Sequence, residues 1–282
     1  MPKSFAAGAK YSLAMSTYAS RAERIHAAVI AYAAGDAFGV AYEFEPVVEA
    51  VPNELLGKAD WPAGGVSDDT LLSLMTIETL DAGSPAAAAD DFLRRLRDAA
   101  PRLRGLGPTT RAALGLPVQP EYAHQVGNTN GGMMRTALLG LAFEVEAERH
   151  AWVEASCRAT HQSLPAVDAA ISMADLFAAK LADPDFALPH AAAPTSPVGL
   201  DPLETLEAVL ATAGSASSVW QAFERACLFG GDTDTVCALA GALVALAHPE
   251  SLAELKWLPQ VNWHEIPQLD ACIALLQARA NA

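Results

Sequence analysis

Apolar residues recur along most of the chain at three- and four-residue intervals, the spacing that lines one face of a helix. After a capping box at Ser20-Arg21-Ala22-Glu23, positions Ile25, Val29, Tyr32 and Ala33 keep that spacing as far as Gly35-Asp36. A first helix is predicted from Arg21 into that Gly-Asp pair. Pro52, Gly57, Pro62, Gly64 and Gly65 mark residues 51–66 as a loop, and a second helix starts near Ser67 and ends before Gly83. Helical patterns follow over residues 85–99, 132–148, 150–181, 202–212, 216–228, 235–247 and 268–280. No period of 20 to 50 residues repeats along the chain. Residues 188–202 carry four prolines among small residues and read as a surface loop within one domain spanning residues 20–282. Residues 1–19 read as a loosely held N-terminal extension.

Composition agrees with an all-α fold. Ala and Leu dominate stretches of ten to twenty residues, whereas aromatic residues make up 7% of the 282-residue chain. At 52% hydrophobic the chain can bury a sizeable core. A net charge of −15, with no dense Lys/Arg cluster, argues against nucleic acid as a partner. Cys157, Cys227, Cys237 and Cys272 form no C-x-x-C pair, and three of them fall in apolar helical patterns, so buried thiols and a reducing cytoplasm are expected. The uncharged helical run from Thr235 to His248 is too short and too rich in Ala and Gly to span a bilayer. Lys3 and Lys10 are followed by no apolar core of a secretory signal.

Two acidic helix starts change the picture. Ser67-Asp68-Asp69-Thr70 is what helix capping alone would select, because Ser is a favoured N-cap and carboxylates complement the helix dipole. GGDTDT at residues 230–235 asks for more: one Asp suffices as a cap, yet Asp232 and Asp234 flank Thr233 and precede Thr235 within one turn. If the two helix starts met, four carboxylates would repel one another unless cations lay between them. Carboxylates and hydroxyls form a hard-oxygen ligand set suited to two close Mg²⁺ or Mn²⁺ ions.

With these motifs in hand, a family resemblance appears. GDAFG at 35–39 followed by Glu43, SDDT at 67–70, NGGMMR at 130–135, TH at 160–161 and GGDTDT at 230–235 resemble the ordered motifs of the ADP-ribosylglycohydrolase family. That family includes dinitrogenase reductase-activating glycohydrolase and the ADP-ribosyl-arginine and ADP-ribosyl-serine hydrolases. The resemblance implies an all-α orthogonal helical bundle with a dinuclear Mg²⁺ or Mn²⁺ centre held by Ser67, Asp68, Asp69, Asp232, Asp234 and Thr235. It implies a catalytic group of Glu43, Asp69 and Asp232, with Glu43 near the scissile ribose bond, either positioning substrate or transferring a proton. Gly127, Asn128, Thr129, Asn130, Gly131 and Gly132 correspond to a diphosphate-binding segment, and His161 to a histidine lining the same cleft. The implied partner is an ADP-ribosylated protein or small ADP-ribosyl conjugate, with no membrane involved.

Several positions depart from the family pattern or admit two readings. Ser67 stands where Thr is usual, and Leu138-Leu139-Gly140 lacks the Pro often found after the Met-Arg pair. Tyr122, Phe44 and Trp61 are candidates for an adenine-stacking ring. Arg135 reads either as a helper at the diphosphate or as a buried or interface salt bridge. His264-Glu265 starts like a zinc-protease motif, but no second His follows. A rival reading is an Asp-rich all-α diphosphate enzyme; its D-D-x-x-D motif lacks the final acid, since Asp68-Asp69 is followed by Thr70, Leu71 and Leu72. Another is a non-catalytic ADP-ribose-binding or crystallin-like protein of the same fold, which the retained oxygen ligands disfavour.

Overall fold

A computed structural model describes residues 19–59 and 61–281. All but Ala19 of the expected N-terminal extension lies outside the described residues. The elements are α1 (Arg21–Gly39), α2 (Asp68–Glu78), α3 (Pro85–Ala99), α4 (Pro108–Ala113), α5 (Gly131–Thr136), α6 (Glu146–Arg158), α7 (Leu164–Ala182), α8 (Pro202–Ala213), α9 (Val219–Phe229), α10 (Thr233–Ala247) and α11 (Leu269–Arg279). Short 3₁₀ turns join several of them. Among the described residues the extended pairing is limited to two isolated bridges, so the fold is all-α.

Two helices, α1 and α10, are buried nearly all round, from Ala27 to Gly39 and from Thr233 to Leu246. A helix apolar on every side belongs in a core. α1 and α10 pack against each other, and α7, α8, α9 and α2 pack around α10. Gly35 and Gly39 allow the approach: a Cβ at Gly35 would lie 2.6 Å from the Cys237 carbonyl carbon, and one at Gly39 would lie 2.6 Å from the Asp234 nitrogen. The Gly-Asp pair therefore does not end α1, as sequence reading expects. Its glycine is a contact surface, and the helix runs on to Gly39.

Ser20 caps α1 as predicted, its hydroxyl accepting from Glu23 N at 3.2 Å while Glu23 accepts from Ser20 N at 2.7 Å. α3 covers the predicted residues 85–99, with Ser84 as its cap. Two long predicted helices are broken. The 132–148 stretch stops as α-helix at Thr136 and tightens into a 3₁₀ turn, Ala137–Leu141, whose Gly140 lies against the Ala174 backbone of α7. The 150–181 stretch breaks at residues 159–163, where Ser163 caps α7 at Ala166 N (3.2 Å) and Pro165 disfavours helix before it. α4 was not anticipated; a Gly107-Pro108 start is its only local signal. All four cysteines are buried free thiols, and the Cys227 and Cys237 sulfurs lie 3.7 Å apart. No helix among the described residues is long and apolar enough to cross a membrane.

Candidate metal centre

The starts of α2 and α10 converge although 164 positions separate Asp68 from Asp232 in the chain. Glu43, Asp68, Asp69, Asp232, Asp234 and Thr235 line one cavity together with Thr129, Asn130, Gly131 and Met134. The Thr235 hydroxyl donates to Asp69 Oδ2 at 2.8 Å, tying one helix head to the other. Carboxylate oxygens of Glu43, Asp232 and Asp234 all lie within 4.8 Å of one another.

Local backbone structure explains how three segments meet. Gly230 and Gly231 have φ of 71° and 84°, a region open to glycine at little cost. Gly231 pairs with Val198 in a parallel bridge, with Val198 N donating to Gly230 O (3.0 Å) and Asp232 N to Val198 O (2.9 Å). The proline-rich loop thus holds the backbone of Asp232. On the other side Phe44 N donates to Gly231 O at 2.8 Å, which brings Glu43, in the turn after α1, beside Asp232. Asn130 donates its amide to Asp232 Oδ2.

Burial raises the pKa of every Asp in the cluster, and neighbouring carboxylates add to the shift. Asp232 is pushed up to about 7 by burial and by Glu43, and Asp68, Asp69 and Asp234 are held well above the ordinary carboxylate range. Glu43 is raised by burial, against the pull of Lys58. Five clustered carboxylates beside a hydroxyl, with no imidazole or thiolate in the cavity wall, form a donor set that fits a hard divalent cation. A cation would relieve the repulsion that otherwise favours protonation.

Some predicted residues occupy other places. Ser67 is the α2 cap, accepting from Asp69 N at 3.0 Å, and does not line the cavity. Of the glycine-rich segment, Thr129, Asn130 and Gly131 reach the cavity wall and Gly127, Asn128 and Gly132 do not. Gly127 N donates to Thr109 Oγ1, Asn128 accepts from Ser163, and Gly132 packs beneath on Cys157 and His161. His161 is fully buried behind the segment instead of lining the cleft: it lies in the turn after α6 ends at Arg158, with its ring against Gly131 and Gly132. Arg135 is buried as well, and neither of its two readings holds. It forms no ion pair among the described residues; it donates to Ser156 O and Thr160 Oγ1 and lies 4.1 Å over the Phe92 ring. Phe44, Trp61 and Tyr122 are absent from the cavity wall; Trp61 instead carries the Arg104 guanidinium at 5.4 Å.

Sequence reasoning missed three contributors. Asp36 accepts from Ser67 N, Thr70 N and Thr70 Oγ1 and so holds the start of α2. Its signal was a lone carboxylate inside an apolar helix. Lys58 donates to the Glu43 carbonyl and lies 3.7 Å from the carboxylates of Glu43 and Glu45. Gly105, Gly107, Pro108 and Thr110 form a further wall, which nothing local in the sequence marks.

The fold is all-α, and buried acids from two helix heads face one cavity in an arrangement that could hold a divalent cation. The family description ADP-ribosylglycohydrolase matches residues 17–281, and the chain belongs to that family. A solved structure, "ADP-ribosylglycohydrolase-related protein complex", is similar at 25% identity and a TM-score of 0.70, covering 93% of this chain and 98% of its own. No curated protein matches the chain. Membership associates the protein with hydrolysis of glycosidic links to ADP-ribose.

Proposed function

We propose that this protein is a divalent-cation-dependent hydrolase that frees ADP-ribose from an ADP-ribosylated protein side chain or small conjugate. The observation that carries the reading is the meeting of Glu43, Asp68, Asp69, Asp232 and Asp234 around one cavity. Asp68, Asp69, Asp232, Asp234 and Thr235 would hold the cations. Two Mg²⁺ or Mn²⁺ ions bound there would supply Lewis acidity, fixing ribose hydroxyls and acidifying water at neutral pH. Cleavage at the anomeric carbon builds positive charge on the ribose ring, which clustered carboxylates favour.

Glu43 is the group we assign to the proton. It is half-buried on the cavity wall, its carboxyl is raised by burial, and the Lys58 ammonium lies 3.7 Å away. Asn130 keeps Asp232 in place by its amide donor. Local donors must receive the diphosphate because the protein as a whole is strongly acidic; with the N–H groups of Gly127, Asn128 and Asn130 bonded to Thr109, Gln125 and Leu200, the backbone at Thr129 and Gly131 on the cavity wall takes that role.

The test is release of free ADP-ribose from a panel of Arg-, Ser-, nucleobase-, acetyl- and polymer-linked conjugates, with and without Mg²⁺ or Mn²⁺. Chelator should abolish turnover, and Asp232→Ala should lower it by about a hundredfold or more. Turnover indifferent to both would overturn the proposal, as would metal-dependent cleavage of prenyl diphosphates alone.

A further inference from the structure

Arg135, Thr160, His161, Thr129 and Thr109 are all buried and hydrogen-bonded in a line. Arg135 Nη2 lies 2.9 Å from Thr160 Oγ1, which is 2.8 Å from His161 Nδ1; His161 Nε2 is 3.0 Å from Thr129 Oγ1, and that oxygen is 2.9 Å from Thr109 Oγ1. Thr129 Oγ1 donates its one hydrogen to Thr109 Oγ1, so it must accept from His161 Nε2–H, and on a neutral ring Nδ1 is then a lone pair. Thr160 accepts from Arg135, and its own proton has His161 Nδ1 as acceptor. The Thr109 oxygen also accepts from Gly127 N at 3.0 Å.

The line requires a neutral imidazole. Burial, together with the nearby Arg135 charge, lowers the His161 pKa to about 3, so the ring stays neutral at working pH. Thr129 alone of the five lines the cavity, beside Asn130, Asp232 and Glu43. Its hydrogen is committed inward, and one lone pair is taken by His161. What remains for a ligand is an acceptor. A phosphate oxygen carries no proton to offer it, but a sugar hydroxyl does.

We propose that Thr129 Oγ1 accepts a hydrogen bond from a hydroxyl of the ribose joined to the acceptor, and that the buried line from Arg135 through His161 gives it that polarity. The proposal rests on the ADP-ribose reading above. It makes His161 and Thr160 positioning residues and separates the role of the Thr129 side chain from that of the backbone beside it.

The test has two arms on the full-length protein. In ¹⁵N-histidine-labelled protein, the ring assigned by its loss in His161→Gln should show the Nε2–H tautomer unchanged from pH 5 to 8. An Nδ1–H tautomer, or titration in that range, overturns the line. In the second arm, ADP-ribose and ADP are titrated calorimetrically into the Mg²⁺-loaded protein. Thr129→Val should weaken ADP-ribose by about tenfold and leave ADP, which lacks the second ribose, within about twofold. Thr129→Ser should restore wild-type affinity, and Thr129→Ala replaces Val if the latter does not fold. Equal weakening of both ligands overturns the hydroxyl assignment. If wild-type protein binds neither, the ADP-ribose reading falls and takes the ligand assignment with it, while the ring spectrum still decides the hydrogen-bond line.

Discussion

Asp36 accepts three hydrogen bonds from the first turn of α2 while shielded from solvent, and its carboxyl is raised to about 6 by burial, against the pull of those donors. Removing it orphans Ser67 N and Thr70 N, so Asp36→Ala should lower unfolding free energy by about 3 kcal/mol in urea titration. His161 supplies a pH signature. Its folded pKa of about 3 lies below its ordinary 6.5, so between those values the unfolded chain binds a proton that the folded one does not. The stability linked to neutral His161 is therefore whole above about pH 6.5 and is lost as pH falls toward 3. Relative to His161→Gln, the wild type should lose about 1.4 kcal/mol per pH unit below pH 6, measured by denaturant unfolding. Parallel slopes for the two proteins would contradict the buried neutral imidazole. Asp232 and Asp234 were legible as chemistry because two acids in one turn exceed what a cap needs. The place of His161 was not legible, because a TH dipeptide carries no sign of which way it will face.

The α1–α10 contact is made by backbone. Gly39→Ala would place a methyl against the Asp234 and Thr233 backbone, where neither helix can yield without moving the acidic head of α10. A loss of about 2–3 kcal/mol is expected, with the metal response impaired. Gly83→Ala meets nothing within 4 Å and is opposed only by its φ of 79°, so its loss, with both variants measured by urea unfolding, should be about 1 kcal/mol. Comparable losses would argue against close packing at Gly39. Most helices were visible from their periodicity and caps. The breaks at residues 137–145 and 159–163 were not read, although Ser163 and Pro165 announced the second; apolar residues on both sides kept the helical period through it.

Across the molecule, five carboxylates come together that no local interaction would assemble. Buried acids with raised pKa values favour the folded state when protonated, and that contribution is lost as pH rises through their folded values. On the proposed reading a divalent cation would replace the protons. At pH 8, Mg²⁺ or Mn²⁺ at a hundred times its dissociation constant should add about 2.7 kcal/mol, seen as a rise in Tm. Asp234→Asn should remove most of that rise and yet leave the metal-free protein as stable as the wild type or more so, because one buried charge is gone. A variant that melts lower without metal and still responds to it would contradict the shared-cation arrangement.

The linear chain by itself determined that the protein is helical, where most of its helices start, and which residues offer clustered oxygen ligands. Those properties follow from side-chain periodicity, from caps and from the intrinsic preferences of oxygen ligands, all of them local. Tertiary structure alone decided that Glu43 joins Asp232 and Asp234, and that His161 and Arg135 lie behind the cavity. Each of these depends on contacts between segments far apart in the chain: a glycine surface between two helices, and a proline-rich loop bonded to Gly230 and Asp232. Close packing of distant backbone selects among side-chain roles that local chemistry leaves equivalent.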